Sequence, residues 1–234
     1  MPRACGLTRI TIVEDHALFA EALDVALTLE GHEVQRVSLD EHGLRGVDLF
    51  EAIIRTRPRI VLLDLNLGSM NGATVVQPLT AAGVAVVVVT ASADQARWGE
   101  VLSHGARTVL PKSAPLNTIL ASIRLIAKGK RVLPREERER LLAQFHQQRA
   151  RAMDVRARLE SLTPREQQIL DHLINADSVR DIARKSFVSE ATVRSQVKSI
   201  LRKLGVSSQL GAVSLAIRAG RDPGGQSPRI RSAS

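Results

Sequence analysis

The chain has 234 residues and a formal net charge of +9, with 33 lysines and arginines against 24 aspartates and glutamates. Its longest apolar stretch, Val84 to Val89, is far shorter than the roughly 18 residues that span a membrane, and charges lie where a signal peptide would be apolar. We therefore expect a cytoplasmic protein with no membrane partner. The single cysteine, Cys5, excludes an internal disulfide bond and a cysteine-based zinc site.

Charge is distributed unevenly between the two halves of the chain. Residues 1–127 contain 11 basic and 13 acidic side chains, whereas residues 128–234 contain 22 and 11. A basic half is expected of a protein that binds a nucleic-acid backbone, although a solvated basic surface would give the same count. One tryptophan, four phenylalanines and no tyrosine are too few to stack single-stranded bases, which leaves duplex DNA as the candidate.

The first half alternates short β-branched runs with segments of helical spacing. The runs at 9–13, 33–37, 59–63, 84–89 and 108–110 predict five strands. The helical segments end at glycines such as Gly31 and Gly129. Because the third and fourth runs are almost entirely apolar, helices should cover both faces of the sheet. The predicted fold is therefore α/β, a doubly wound five-stranded parallel sheet.

Polar side chains stand at the carboxyl ends of four predicted strands. They are Glu14 and Asp15, Asp64, Thr90, and Lys112. Parallel strands bring these ends to one edge of the sheet, where ligands of such folds bind. Each residue alone would usually be structural, but three crowded carboxylates repel one another unless a divalent cation joins them. Because Mg²⁺ prefers oxygen ligands, we expect a magnesium site.

Asp64 is the expected nucleophile at this edge. It follows the buried run 60–63 and precedes a loop, LNLGSMNG, in which Gly68 and Gly72 permit tight turns around a ligand. Thr90 and Lys112 would supply a hydroxyl and a positive charge, which suit the oxygens of a phosphoryl group.

Four segments, VEDH, LLDLNLGSMNG, VVVVTAS and LPKSAP, resemble the receiver domain of two-component response regulators over residues 7–129. The resemblance implies a flavodoxin-like fold in which Asp64 accepts a phosphoryl group from a sensor histidine kinase. It also implies that Thr90 and Lys112 bind the phosphate oxygens. The implied magnesium ligands are Glu14, Asp15, Asp64 and the backbone carbonyl of Asn66.

Two positions depart from the receiver pattern. Val109 lies where the family usually has an aromatic switch residue, so we expect altered coupling from Thr90 to the protein surface. Ser113 follows the lysine where the family usually has proline, so a cis peptide bond there would be non-prolyl and cost about 3 kcal/mol. Val109 leaves a second function open, a regulator that binds DNA without phosphorylation and uses its receiver for dimerisation or docking.

Two enzyme-like classes share part of this pattern. A phosphohydrolase of the haloacid dehalogenase type also uses a strand-end aspartate, but it needs a second aspartate two residues later, where this chain has Asn66. A nucleotide-binding Rossmann domain needs a glycine-rich turn after the first strand, and EDHALFAE contains no glycine. We therefore do not expect an enzyme.

A charged segment, residues 130–160, separates the two halves. It predicts a partly helical linker, in which Leu141, Leu142 and Phe145 could pack one face against a partner. The last residues, 221–234, are rich in glycine, proline and serine, and we expect them to be disordered.

Residues 161–220 predict a smaller, all-α domain of short helices. Thr163, Ser178 and Ser189 are typical N-cap residues. The segment 178–205 predicts a helix, a four-residue turn and a second helix, which is helix-turn-helix spacing. Within the turn, Phe187 and Val188 are expected in the core.

One face of the second helix is basic. Arg194, Lys198 and Arg202 recur every four residues. Three polar side chains that can hydrogen-bond bases or phosphates lie beside them, Ser195, Gln196 and Ser199. The alternative is a solvated basic face on a small helical bundle.

The segments LTPREQQIL, IARKSFVSEATVRSQVKSILRKLGV and GAVSLAIRAG closely resemble the LuxR-type helix-turn-helix of NarL/FixJ response regulators. The resemblance implies a recognition helix from Glu190 to Leu204. Its main DNA-contacting positions would be Arg194, Ser195 and Lys198, with Thr192 near the DNA backbone. A last helix would pair two modules, so that the active form is a homodimer. The family usually has glycine at Ala176, so we expect the turn there to be reshaped.

Together these features predict a transcription regulator of a two-component system, which accepts a phosphoryl group on Asp64 and binds double-stranded DNA. The change of charge at Asp64 would bias the receiver and free or dimerise the basic module.

Overall fold

The computed structural model describes residues 7–37 and 46–221. The chain divides into two compact units, residues 1–146 and 147–234. Within the described ranges, no helix is both long enough and apolar enough to cross a membrane. Cys5 and the predicted tail beyond Arg221 lie outside the described residues.

The first unit contains the predicted sheet and its flanking helices. In chain order its elements are β1 (Arg9–Val13), α1 (Ala17–Leu29), β2 (Glu33–Arg36), α2 (Gly46–Arg55), β3 (Ile60–Leu63), β4 (Asn66–Leu67), β5 (Met70–Asn71), α3 (Ala73–Ala81), β6 (Ala85–Thr90), α4 (Gln95–Ser103), β7 (Thr108–Pro111) and α5 (Leu116–Ala127). A further helix, α6 (Arg135–Glu160), begins in this unit and ends in the second. Five of the described strands form one parallel sheet in the order β2-β1-β3-β6-β7, which confirms the predicted fold class.

Alternation along the strands divides the core of this unit into two layers. In β3, Val61 and Leu63 pack on one side with α2, α3 and α4, whereas Ile60 and Leu62 pack on the other side with α1 and α5. Helices must cover both faces, because a sheet this rich in β-branched side chains would otherwise expose apolar surface to water. The register pairs Val13 with Leu63, so the residues that follow these two strands emerge at one edge.

The loop after β3 is more ordered than the sequence predicts. It forms a short antiparallel ribbon, in which β4 pairs with β5. Gly68 turns the chain between the two strands with φ of +61°, a conformation that glycine adopts without strain. At Gly72 a Cβ atom would lie 2.2 Å from the carbonyl oxygen of Asp64, so only glycine lets the chain pass this close.

The helix α6 occupies most of the segment that the sequence predicts as a partly helical linker. Near its start, Leu141 is buried in the core of the first unit. A Cβ atom at Gly99 of α4 would lie 2.2 Å from the carbonyl oxygen of Leu141, so the absence of a side chain at Gly99 permits this packing. Near its end, Val155 and Leu159 pack in the core of the second unit. The charged segment therefore contributes to both cores.

Within residues 147–221, the second unit packs four further helices around one core. They are α7 (Pro164–Ile174), α8 (Val179–Lys185), α9 (Glu190–Leu204) and α10 (Gln209–Arg218). The predicted N-caps are confirmed, because the side chains of Thr163, Ser178 and Ser189 each accept a backbone N–H of the helix that follows. Four residues separate α8 from α9, as helix-turn-helix spacing predicts.

One position of this unit differs from expectation, and a second carries backbone strain. Phe187 is 95% exposed, so the expectation that it lies in the core is wrong. The neighbouring Val188 packs against the core instead, and two successive residues of so short a turn do not both face inward. Ala176 has φ of +60°, a left-handed conformation that glycine adopts freely, so alanine carries backbone strain of about 1–2 kcal/mol there.

Candidate functional site

The carboxyl edge of the parallel sheet gathers the side chains that the sequence places there. Glu14 follows β1, Asp64 follows β3 and Lys112 follows β7. The ammonium group of Lys112 lies 2.7 Å from Oε1 of Glu14 and 2.8 Å from Oδ2 of Asp64. Both carboxylate side chains are 3% exposed. Lys112 therefore offsets the charge of two buried carboxylates.

Backbone amides orient the same two carboxylates. The amide of Asn66 donates to Oδ1 of Asp64 at 3.2 Å. The amide of His16 donates to Oε1 of Glu14 at 2.9 Å. Because each amide comes from the loop that follows its own strand, the loops fix the direction of both side chains at the edge.

Thr90 lies next to this cluster at the end of β6. It is fully buried, and its hydroxyl oxygen accepts a hydrogen bond from the amide of Ser92 at 3.2 Å. Its carbonyl oxygen accepts the amide of Lys112 at 2.9 Å, which links the ends of β6 and β7. The peptide bond between Lys112 and Ser113 is trans, as are all the others in the described residues.

The pKa values at the edge follow from these contacts. Burial alone would raise the pKa of Asp15, but hydrogen bonds from the amide of Gly68 and from His16 outweigh it, so the pKa is lowered. Burial likewise opposes the charge of Lys112, but its hydrogen bonds to Asp64 and to the neighbouring carboxylate prevail and raise its pKa. Both groups are therefore held in their charged forms.

The edge has the donor set that a hard divalent cation needs. Ligand atoms of Glu14, Asp15, His16 and Asp64 all lie within 4.8 Å of one another. Three of them are carboxylate oxygens, which Mg²⁺ prefers to nitrogen. The residues present therefore fit the magnesium ion that the sequence predicts.

The basic helix of the second unit is α9. Its apolar residues Val193, Val197, Ile200 and Leu204 are buried in the core. The predicted DNA-contacting residues are all exposed: Thr192, Arg194, Ser195, Lys198 and Arg202. The face of α9 that carries these residues is therefore exposed and does not pack in the core of its own unit.

Two polar residues of α9 face inward. Ser199, expected on the exposed face, instead donates to Oε1 of Glu166 at 2.7 Å. The ammonium group of Lys203 lies 2.7 Å from Oε2, which also accepts the amide of Thr163 at 2.7 Å. Burial raises the pKa of Glu166, but these hydrogen bonds, led by that of Lys203, lower it to about 2. Glu166 therefore joins α7 to α9 as a buried anion.

Two family models match the chain. Residues 10–124 match the response regulator receiver domain, and residues 160–216 match the bacterial regulatory proteins of the luxR family. The chain belongs to the two-component response regulators. The matches confirm the function class that the sequence predicts, a transcription regulator with a receiver and a LuxR-type helix-turn-helix. Neither matched family is a class of enzymes.

Curated relatives match this response regulator over most of its length. The nitrate/nitrite response regulator protein homolog of Haemophilus influenzae is 27% identical over 209 residues, which cover 88% of this chain and 95% of the relative. The transcriptional regulatory protein DegU of Brevibacillus brevis is 28% identical, with 91% and 94% covered. Among solved structures, the RcsB response regulator of Salmonella typhimurium matches with a TM-score of 0.47 and 20% identity, over 91% of this chain and 98% of the other.

Sequence analysis did not identify one residue of the response regulator's site, or one residue of α4 that binds the loop beside the site. His16 joins the acidic cluster, with Nδ1 3.0 Å from Oδ1 of Asp15, and its position in VEDH beside two carboxylates was a signal for it. Arg97 of α4 donates to the side-chain oxygen of Asn66 at 2.9 Å. No sequence pattern indicates Arg97, because its contact depends on how α4 packs beside the loop after β3.

Proposed function

We propose that Asp64 accepts a phosphoryl group from a phosphohistidine of a sensor histidine kinase. The observation that carries the proposal is the ammonium group of Lys112, which lies 2.7 Å from Glu14 and 2.8 Å from Asp64 at the sheet edge. A carboxylate oxygen of Asp64 forms the bond to phosphorus while the bond from phosphorus to the kinase imidazole nitrogen breaks. The released imidazole takes up a proton from solvent.

Lys112 and Thr90 contact the oxygens of the transferred group. Lys112 stays cationic because its pKa is raised, and charge-assisted hydrogen bonds to phosphoryl oxygens are strong. The hydroxyl of Thr90 stands at the end of the strand between those that precede Asp64 and Lys112. These two donors suit a tetrahedral anion better than a neutral substrate.

Mg²⁺ would be held by Glu14, Asp15, Asp64 and the backbone carbonyl of Asn66. The proximity of the carboxylate oxygens supports this assignment, since they lie within 4.8 Å of one another. When bound, the ion offsets the repulsion between the carboxylates and an incoming phosphoryl group. The amide of Asn66 keeps Asp64 oriented toward the same edge.

We also propose that α9 binds the major groove of double-stranded DNA. The contact residues would be Thr192, Arg194, Ser195, Lys198 and Arg202, all of which are exposed. Arginine and lysine bind base edges and phosphates, and serine and threonine bind either. The proposed partners, a sensor kinase and DNA, meet in the cytoplasm, and we place the regulator there.

A homodimer on DNA is proposed for the active state. Leu210 and Ile217 of α10 are 80% and 47% exposed and lie seven residues apart, hence on one face of the helix. An apolar face on the last helix fits the pairing of two copies that the family resemblance implies. Two copies would bind half-sites about one helical turn apart.

A second candidate function follows from Val109. This side chain is 5% exposed and packs in the core of the first unit, and valine has no aromatic ring to move toward Thr90. A regulator without that coupling would bind DNA without phosphorylation and use its receiver for dimerisation or docking.

The intact mass of the protein after incubation with Mg²⁺ and acetyl phosphate tests the proposal. We expect one phosphoryl group on the wild type, none on Asp64→Asn, and one on the control Glu21→Gln, which changes an exposed carboxylate of α1. No phosphoryl group on the wild type, even with a sensor kinase supplied, would contradict the proposal and favour the second function.

Fluorescence anisotropy tests the DNA interface, with a duplex that the wild type selects from a random pool. Lys198→Ala should weaken binding by about 1–3 kcal/mol, whereas the control Lys128→Ala, in the first unit, should not. Loss on the selected duplex alone would indicate a base contact, and equal loss on all duplexes a phosphate contact. Unchanged binding would contradict the assignment of α9 as the DNA-binding face.

A further inference from the structure

Arg97 of α4 binds the loop that follows the proposed phosphoacceptor at three points. Its guanidinium group donates to Oδ1 of Asn66 at 2.9 Å, to Oδ1 of Asn71 at 3.1 Å and to the carbonyl oxygen of Leu65 at 3.3 Å. Asn66 lies in β4 and Asn71 in β5, so one side chain holds both strands of the ribbon. The planar fork of arginine has enough donors for three acceptors, whereas lysine has a single point charge.

This loop is hydrogen-bonded directly to Asp64. The amide of Asn66 donates to Oδ1 of Asp64 at 3.2 Å, and the side chain of the same Asn66 accepts from Arg97. The carbonyl oxygen of Leu65 accepts both Arg97 and the amide of Gly72, at 3.3 and 2.8 Å. Asn66 thus links the carboxylate of Asp64 to the guanidinium group of Arg97 by hydrogen bonds.

The helix α4 is also bound to the loop on the other side of the site. The indole N–H of Trp98 donates to the carbonyl oxygen of Ser92 at 2.8 Å. The amide of Ser92 in turn donates to the hydroxyl of Thr90 at 3.2 Å. Two adjacent residues of α4, Arg97 and Trp98, thus connect it to the loops after β3 and β6.

The start of α6 rests on the same helix. Arg138 of α6 donates to the carbonyl oxygens of Leu102 and Ala106 at 2.8 and 3.1 Å, and Arg140 donates to the side chain of Gln95 at 3.0 Å. With the close approach of Leu141 at Gly99, these contacts span α4 from end to end. A displacement of α4 would therefore disturb its contacts with the start of α6.

We infer that Arg97 couples phosphorylation of Asp64 to movement of α4, in place of the aromatic residue that position 109 lacks. The inference rests on the proposed phosphorylation of Asp64. A phosphoryl group brings up to two negative charges and three acceptor oxygens to the carboxylate. The phosphoryl oxygens compete with the carboxylate for the amide of Asn66, and their negative charge attracts the guanidinium group of Arg97. The ribbon and α4 then rearrange together, and Trp98 changes its environment.

Trp98 is the only tryptophan of the chain, so its fluorescence reports on α4 without a label. The full-length wild type, Arg97→Ala and Arg97→Lys are each incubated with Mg²⁺ and acetyl phosphate, and intact mass, fluorescence and DNA affinity are measured on the same samples. The control is Arg55→Ala, whose guanidinium group pairs with Glu51 on its own helix.

The wild type and Arg55→Ala should gain one phosphoryl group, a change in Trp98 fluorescence and a gain in DNA affinity. Arg97→Ala should gain the phosphoryl group but lose the fluorescence change and the affinity gain. Arg97→Lys should behave like Arg97→Ala, because one ammonium group cannot hold both strands of the ribbon. Failure of the lysine to restore the response separates the coupling role from a need for charge alone.

Four outcomes would overturn the inference. A phosphorylated Arg97→Ala or Arg97→Lys with the full wild-type response would show that the fork of Arg97 is not needed. A phosphorylated wild type with unchanged Trp98 fluorescence would show that α4 does not respond. An Arg97→Ala that no longer gains mass would show that Arg97 serves the transfer and not the coupling. A wild type that gains no mass would contradict the proposed function itself, and the mass measurement alone identifies that case.

Discussion

Glu166→Gln should destabilise the second unit in a way that depends on pH. Glu166 is 3% exposed and accepts hydrogen bonds from Thr163, Ser199 and Lys203. Glutamine has nearly the same shape, but it is neutral, and its amide nitrogen cannot accept a hydrogen bond from the ammonium group of Lys203. The substitution therefore removes the ion pair while it disturbs the packing little.

The lowered pKa gives the size and sign of this effect. The pKa of Glu166 is about 2 in the folded protein against an ordinary value of 4.5, which alone would correspond to about 3 kcal/mol. Because the side chain of Lys203 is 28% exposed, water screens the pair, and we expect about 1–2 kcal/mol. Since the folded pKa is the lower one, this stabilisation is fully present above pH 4.5 and is lost as the pH falls through about 2.

Hydrogen exchange of peptides from α7 and α9 measures the free energy of unfolding of this unit alone. Near neutral pH the free energy of unfolding of the wild type should exceed that of Glu166→Gln by about 1–2 kcal/mol, and this difference should shrink on acidification. The control Glu160→Gln removes an exposed ion pair with Arg156 and should cost less than about 0.5 kcal/mol. Equal stability of wild type and Glu166→Gln near neutral pH, or a difference that is independent of pH, would refute the reasoning.

Three glycine or alanine positions give further predictions. Ala176→Gly should raise the free energy of unfolding of the second unit by about 1 kcal/mol in thermal denaturation, because glycine relieves the strain at φ of +60°. Gly72→Ala should lower the stability of the first unit by about 1–3 kcal/mol in urea, followed by Trp98 fluorescence, since its Cβ would lie 2.2 Å from a carbonyl oxygen. Gly99→Ala should accelerate hydrogen exchange in residues 135–146, because its Cβ would lie 2.2 Å from the carbonyl oxygen of Leu141. Unchanged stability or exchange would contradict the respective close contact.

Local patterns were sufficient to predict the sheet and the helix ends. The strands were predictable because runs such as 60–63 are buried on both faces, and such runs have no helical periodicity. The N-caps were predictable because Thr163, Ser178 and Ser189 act on backbone groups within three residues. The position of the site was predictable from the strands, because the carboxyl ends of parallel strands lie at one edge of the sheet.

Contacts between distant segments were not predictable in this way. Ser199 was expected on the exposed face of α9, but Glu166, 33 residues earlier, draws its hydroxyl inward. Within the turn, Phe187 and Val188 were both expected in the core, but only Val188 packs there. No sequence pattern indicated the contact of Arg97 with the ribbon, because that contact depends on how α4 packs. For Ser199 and Arg97 the deciding partner lies outside the local window that periodicity samples.

The end of α6 determines where an isolated DNA-binding fragment of the protein can begin. Val155 and Leu159 pack in the core of the second unit, and Arg158 donates to the carbonyl oxygen of Leu204, where α9 ends. A fragment that begins at residue 161 would lose all three and leave that carbonyl exposed to competing solvent. An isolated DNA-binding fragment that folds as the intact chain does must therefore start before Val155, inside the segment that the composition alone marks as a linker.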